Sequence, residues 1–120
     1  MAETIKKKKI STASCKAKAR RLQQDVRDKI LDKFPTLEED DVKSTSMGAG
    51  GEDIQLSPAA RRVFPYSVEC KSRASLPLYA WYQQAKHNAP TGMEALLVVK
   101  QDRSKPLIIL DLDYFMEMIK

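Results

Sequence analysis

The sequence has little cysteine and no long hydrophobic run, and these two shortages exclude several classes of protein. Its two cysteines, Cys15 and Cys70, are too few for a disulfide framework and lack the spacing of metal ligands. No apolar stretch approaches the roughly 20 residues that a membrane-spanning helix needs. The N-terminus is basic but lacks the apolar segment of a secretory signal. We therefore expect an intracellular protein in a reducing compartment, without a membrane partner.

Apolar and charged residues, by contrast, are both plentiful. Hydrophobic residues make up 42% of the chain and charged residues 31%. This balance is typical of a folded globular protein and not of a disordered chain. A length of 120 residues suits one domain with its own core and is short for two.

Positive charge is concentrated at the N-terminus. Residues 1–21 hold eight cations and one acid, a net charge of +7, whereas the whole chain carries +5 and the remainder therefore −2. We predict a basic flexible arm over residues 1–13 and a single folded domain over residues 14–120. A basic arm favours contact with a polyanion such as DNA, and a solubilising tail is the alternative. The candidate DNA contacts in this region are Lys6, Lys7, Lys8, Lys9, Lys16, Lys18, Arg20 and Arg21.

Hydrophobic periodicity and turn residues predict helices that alternate with strands. The predicted helices cover residues 14–34, 58–63, a segment that starts at Pro77, and the C-terminal segment capped by Asp111. The predicted strands cover residues 42–46, 53–56, 66–72, 95–100 and 106–110. The last two strands are continuous apolar runs, so we expect both to be buried and to pair through the turn between them. This order predicts an α/β domain with a central mixed sheet flanked by helices.

Two charged residues in the predicted strand 66–72 are the strongest chemical signal. Glu69 and Lys71 lie two residues apart and face one side of the strand, while Val68 and Cys70 face the other, which we expect to be the core. Asp53 lies on a strand that we expect to be a neighbour. Two adjacent carboxylates repel each other unless a divalent cation such as Mg²⁺ lies between them.

This trio has the parts that phosphodiester hydrolysis needs. Lys71 can stabilise the charge that develops on a phosphate or orient a water molecule. The spacing alone is also compatible with a plain structural arrangement. In that alternative Glu69 and Lys71 form a surface pair and Asp53 is a turn residue.

The residues "EDI", a glycine-rich loop before them and "VECKS" after them resemble the PD-(D/E)XK nuclease superfamily. More closely, the chain from Lys16 to Asp111 resembles the archaeal-type and phage-encoded Holliday junction resolvases. The resemblance implies a small restriction-endonuclease-like fold and a homodimer that makes paired nicks in four-way DNA junctions. It also implies Mg²⁺ as the cofactor, with Mn²⁺ as a substitute, and a place in the host-cell cytoplasm if a phage encodes the protein. No small-molecule substrate is expected.

The resemblance also assigns roles to residues. Asp53 and Glu69 would hold the metal together with the backbone carbonyl of Cys70, and Lys71 would be catalytic. The family has a Ser that assists cleavage in the loop before the Asp, which here is Ser46, with Ser44 as second choice. Two departures are that Glu52 replaces the Pro before the Asp, and that Gln23 replaces a metal-binding Glu on the first helix.

Helix geometry places Gln23 on the inward face of the first helix, with Ala19, Val26 and Ile30. A polar side chain on that face needs a partner. We expect Gln23 to act through a metal-bound water, and a hydrogen bond to a strand backbone is the alternative. Gln24 points away from this face.

Further candidates lie outside the central trio. Related nucleases place a Gln after the lysine strand, which here is Gln84, against the alternative of a solvated helix flank. Arg61, Arg62 and Arg73 flank the site strands and are candidate phosphate contacts. The expected function is a Mg²⁺-dependent endodeoxyribonuclease of the junction-resolvase type. The alternatives are a related nuclease for nicked, flapped, single-stranded or linear DNA, and a non-catalytic DNA-binding module.

Overall fold

The computed structural model describes residues 12–45 and 52–119. Helix α1 spans Thr12–Lys33 and is the longest element. It starts two residues earlier than the sequence predicts, so it includes the last two residues of the predicted basic arm. Residues 1–11 of that arm lie outside the described residues. It stops at Lys33 because Pro35 disfavours helical backbone at the residue before it. Among the described residues, no helix is long and apolar enough to cross a membrane.

Five strands form two small sheets. Strands β1 (Val42–Ser44) and β2 (Ile54–Leu56) pair antiparallel. Strands β3 (Tyr66–Arg73) and β4 (Glu94–Gln101) pair parallel along eight residues each. Strand β5 (Leu107–Ile109) then pairs antiparallel with β4, as the sequence predicts. The result is an α/β structure with a mixed three-strand sheet and an antiparallel two-strand sheet flanked by helices.

Short helices connect and close these sheets. Their bounds are Glu39–Asp41 for a single 3₁₀ turn, Pro58–Val63 for α2, Leu78–Asn88 for α3 and Leu112–Met118 for α4. The Ser57 side chain accepts a hydrogen bond from the Ala60 N–H, and the Asp111 side chain accepts one from the Tyr114 N–H. The predicted N-cap Asp111 is therefore confirmed, and Ser57 caps α2 in the same way, because each side chain satisfies a backbone donor that the helix itself leaves unpaired.

The core lies between α1 and the sheet. Leu22 and Ile30 of α1 belong to one buried cluster with Val68 and Cys70 of β3, and with Leu96 and Val98 of β4. Alternation along β4 turns Leu97 and Val99 to the opposite face, where Ala85 of α3 is also buried. Strand β4 is therefore buried on both faces, as its continuous apolar sequence predicts.

The predicted burial of the last strand is wrong. Leu107 is 63% exposed and Ile108 is 60% exposed, although both lie in β5. The reason is that β5 is an edge strand whose partner is β4 alone among the described strands. An apolar run fits a buried strand and an uncovered edge equally well, and only the packing around it distinguishes the two.

Candidate functional site

Two hydrogen bonds to the backbone of β3 place Asp53 beside that strand. Asp53 immediately precedes β2, and its N–H donates to the Val68 carbonyl at 3.0 Å. The Cys70 N–H in turn donates to Asp53 Oδ2 at 2.7 Å. These bonds join the two sheets and fix the carboxylate against the middle of β3. Asp53 and the β3 residues are thus brought together, as the sequence predicts.

Glu69 and Lys71 add a second carboxylate and a cation to the site. Glu69 is 6% exposed, which excludes a surface pair for this carboxylate. Its Oε1 lies 3.9 Å from Lys71 Nζ. Asp53, Glu69 and Lys71 line one small cavity of about 80 Å³, which we call the acid cavity. Its lining residues are Ala19, Gln23, Asp53, Glu69, Cys70, Lys71, Ser72 and Arg73.

Burial disfavours the ionised forms of both carboxyl groups in the acid cavity. Burial, followed by the charge of Asp53, raises the pKa of Glu69 to about 7. Lys71 and a hydrogen bond from Asn88 lower that pKa without offsetting the two larger causes. Burial also raises the pKa of Asp53, against the lowering effects of the Cys70 N–H and Lys71. Both carboxyl groups therefore resist ionisation in the folded protein. A divalent cation between them would stabilise their ionised forms.

Gln23 adds an unpaired oxygen to this cavity. The side chain is only 3% exposed, and its Oε1 is buried with no hydrogen-bond partner among the described residues. The alternative in which this oxygen bonds to a strand backbone is therefore excluded. A buried amide oxygen without a donor is costly unless a ligand or water satisfies it. Its position in the lining of the acid cavity points to a ligand there.

The oxygen donors of the acid cavity could hold Mg²⁺. Within residues 12–45 and 52–119, no three His, Cys, Asp or Glu side chains lie together as a metal-binding group. The acid cavity instead offers two carboxylates, an amide oxygen and the β3 backbone beside Cys70. Mg²⁺ is bound in proteins by one or two carboxylates and keeps water or phosphate in its remaining positions.

We expect Gln23→Glu to tighten Mg²⁺ binding and to destabilise the metal-free protein. The substitution adds a third buried negative charge beside Asp53 and Glu69, so in EDTA the unfolding free energy should fall by about 1 kcal/mol or more. Isothermal titration with Mg²⁺ and thermal unfolding in EDTA measure the two effects. Gln24→Glu is the matched control, because Gln24 is exposed on the other side of α1. Equal behaviour of the two variants would show that Gln23 does not contact the metal.

Gln84 and Ser44 are predicted site residues that do not line the acid cavity. Gln84 is exposed on α3 and does not line the cavity, because its neighbour Ala85 is the residue that faces the sheet. Asn88, one helical turn later, is the α3 residue that reaches Glu69. Ser46 lies outside the described residues. The second choice, Ser44, lies at the end of β1 and does not line the cavity either.

Some of the predicted DNA contacts already form ion pairs within the protein, and others are exposed to solvent. Arg61 pairs with Glu52 at 3.2 Å and also donates to the Leu56 carbonyl, so it has a structural role. Lys18 donates to both carboxylate oxygens of Asp102 at 3.0 and 2.9 Å. The exposed cations, available to a phosphate backbone, are Lys16, Arg20, Arg21, Arg62 and Arg73. Lys6, Lys7, Lys8 and Lys9 lie outside the described residues.

A second cavity next to the acid cavity contains two cations, Lys100 and Arg103, that the sequence did not indicate. We call it the basic cleft; it has a volume of about 530 Å³ and shares Ser72 with the acid cavity. Its charged lining residues are Lys18, Arg21, Asp25, Lys100, Asp102 and Arg103. The Lys18–Asp102 pair joins α1 to the turn after β4, and this turn presents Arg103 with a left-handed backbone, φ 61°. No local sequence signal connects residues this far apart along the chain.

Comparisons with protein-family models, with curated proteins and with solved structures found no match to this chain. The functional assignment therefore depends on the chemistry of the acid cavity and on the motif that carries the family resemblance.

Proposed function

We propose that the protein is a metal-dependent phosphodiesterase that acts on DNA. The observation that carries the proposal is the acid cavity, where Asp53, Glu69, Lys71 and the unpaired oxygen of Gln23 meet. The carboxyl groups of Asp53 and Glu69 share this small cavity, where a cation would offset the repulsion between them. A carboxylate pair with an adjacent lysine is the set of groups that the PD-(D/E)XK resemblance implies. The restriction-endonuclease-like fold is part of this proposal, supported by the Asp53–Val68 bond that joins the two sheets.

More specifically, we propose a Mg²⁺-dependent endonuclease of the Holliday junction resolvase type that works as a homodimer. When bound, Mg²⁺ would polarise the phosphate and lower the pKa of a water molecule. Asp53, Glu69 and the Cys70 carbonyl would hold it, with Gln23 acting through a water. Mn²⁺ is the expected substitute.

Lys71 has the position for a direct role in hydrolysis. Its ammonium group lies beside Glu69 in the acid cavity, where it can donate to a phosphate oxygen and stabilise the charge that develops there. In the proposed reaction the oxygen of water bonds to phosphorus while the bond to one sugar oxygen breaks. One proton of that water ends on the departing sugar oxygen, and the other leaves the new phosphate group.

The basic cleft gives the DNA strand a path away from the acid cavity. Arg21, Lys100 and Arg103 line it, and none of the three forms an ion pair within the described part of the chain. Cations that neutralise successive phosphates position a nucleic acid without reading its sequence. Because Ser72 lines both cavities, a strand in the basic cleft passes directly beside the proposed metal ligands.

A panel of DNA substrates tests this function. Four-way junctions, nicked, flapped, single-stranded and linear DNA of matched sequence are incubated with the protein in Mg²⁺, Mn²⁺ or EDTA. We expect paired, symmetric nicks in the four-way junction with either metal and none in EDTA. Faster cleavage of another substrate would indicate a related nuclease. Binding without cleavage in either metal would indicate a non-catalytic DNA-binding module.

A further inference from the structure

Exposed apolar side chains are concentrated at the C-terminal end of the chain. Nine large hydrophobic residues are exposed among the described residues, and seven of them lie between residues 107 and 119. Scattered apolar side chains are normal on a protein surface, but a group concentrated in one segment favours an interaction site. The members of this group are Leu107, Ile108, Leu112, Phe115, Met116, Met118 and Ile119.

Helix α4 turns one side to its own chain and the other outward. Tyr114 contacts Tyr66 on the inner side, with ring centroids 6.0 Å apart and hydroxyl oxygens 3.3 Å apart. The Tyr66 hydroxyl also lies 2.9 Å from the Met118 sulfur. On the outer side, Leu112, Phe115, Met116 and Ile119 recur at helical spacing and are 45–70% exposed. We call these four residues the outer stripe.

A second uncovered apolar feature lies between α1 and β5. This apolar groove has a volume of about 760 Å³. Its apolar lining includes Val26, Ile30, Phe34, Phe64, Val98 and Ile108. Ile108 pairs with Val98 in the sheet and faces the same side, and it is 60% exposed, so no described residue covers the groove at the β5 edge.

The groove and the outer stripe have opposite charges at their borders. Lys33 and Lys105 line the groove and form no ion pair among the described residues, whereas Lys29 there pairs with Asp25. On α4, Asp113 and Glu117 lie one turn apart along the border of the outer stripe. The segment Leu112–Met118 contains no cation. The apolar helix face with acidic neighbours is therefore complementary in charge to the apolar groove with lysine neighbours.

We propose that a second copy of this chain covers the groove. The outer stripe of each copy packs into the apolar groove of the other, so that the two contacts are related by a two-fold axis. The same chain carries both complementary features, which favours self-association over an unrelated partner. This surface is argued without the acid cavity, and it goes beyond the proposed function by specifying how a dimer forms.

Paired charge reversals test the proposal. The groove variant is Lys33→Glu with Lys105→Glu, and the helix variant is Asp113→Lys with Glu117→Lys. We expect the wild type to be a dimer in sedimentation velocity, and each variant alone to dissociate with at least a roughly tenfold higher dissociation constant. An equimolar mixture should form a heterodimer of near wild-type affinity, because both of its groove–helix contacts again join opposite charges. All four positions are exposed, and circular dichroism checks that each variant folds.

The outcomes separate this arrangement from others. Glu39→Lys, an exposed reversal in the 3₁₀ turn, is the control and should leave the dimer unchanged. A groove variant that dimerises like the wild type would overturn the proposal, and so would a monomeric wild type. A mixture that fails to recover dimers would overturn it as well. None of the four positions lines the acid cavity, so cleavage by either variant tests the proposed function separately.

Discussion

Asp53→Asn and Glu69→Gln should each abolish cleavage in Mg²⁺ while leaving DNA binding nearly intact. An Asn at position 53 can still accept the 2.7 Å hydrogen bond from the Cys70 N–H through its amide oxygen. Its NH₂ group then replaces the second carboxylate oxygen, which removes a metal ligand without removing the link between the sheets. A loss of several kcal/mol of transition-state stabilisation corresponds to a rate lower by about a thousandfold or more.

Lys71→Ala should also slow cleavage by several orders of magnitude, because it removes the only lysine or arginine cation within 4.0 Å of the Glu69 carboxylate in the described structure. Single-turnover cleavage of a labelled four-way junction measures the rates, and a gel-shift assay in Ca²⁺ measures binding. Glu39→Gln is the matched control, since this carboxylate is exposed in the 3₁₀ turn. Near-normal cleavage by either carboxylate variant would show that the acid cavity is not the active site.

The metal-free protein should lose stability as the pH rises from 5 to 8, and Glu69→Gln should remove most of that loss. The folded structure raises the pKa of Glu69 from 4.5 to about 7. Between these values the folded state binds more protons than the unfolded state, so the unfolding free energy falls as pH increases. A shift of this size corresponds to at most about 3 kcal/mol. The raised pKa of Asp53 acts in the same direction.

Urea unfolding in EDTA at several pH values measures this effect. The difference in unfolding free energy between the Glu69→Gln variant and the wild type should be small at pH 5 and large at pH 8. Mg²⁺ should stabilise the wild type most at pH 8, where both carboxylates are ionised, and should stabilise the variant much less. A difference that does not change with pH would mean that the Glu69 carboxyl ionises as freely in the folded protein as in the unfolded chain.

Most secondary structure could be predicted because the local signals are strong. Strand β3 combines alternation with buried apolar residues, and the caps at Ser57 and Asp111 are set by neighbouring residues. Strand β5 could not be predicted to be exposed, because its apolar sequence does not reveal that nothing described packs over Ile108. Burial depends on the three-dimensional neighbours of a strand, and these lie far away along the chain.

In the site, too, local sequence patterns predict some placements and long-range packing decides the others. Alternation puts Glu69 and Lys71 on one face, and the helical period puts Gln23 inward, so these placements follow from the sequence. The contact between Asn88 and Glu69 does not, because it depends on how α3 is rotated against the sheet. The Lys18–Asp102 ion pair joins residues 84 positions apart, and many other pairings are equally compatible with the sequence. Ordinary tertiary packing decides between them.

The alternation of β3 has a further consequence for thiol chemistry. The Cys70 backbone borders the acid cavity, yet its side chain is only 4% exposed and belongs to the core beneath α1. Burial and the nearby carboxylates raise the pKa of this thiol far above its usual range, so the reactive thiolate is suppressed. Cys15 on α1 is partly exposed. Alkylating reagents should therefore modify Cys15 in the folded protein and Cys70 after unfolding. The alkylation rate of Cys70 would then report how often the core opens.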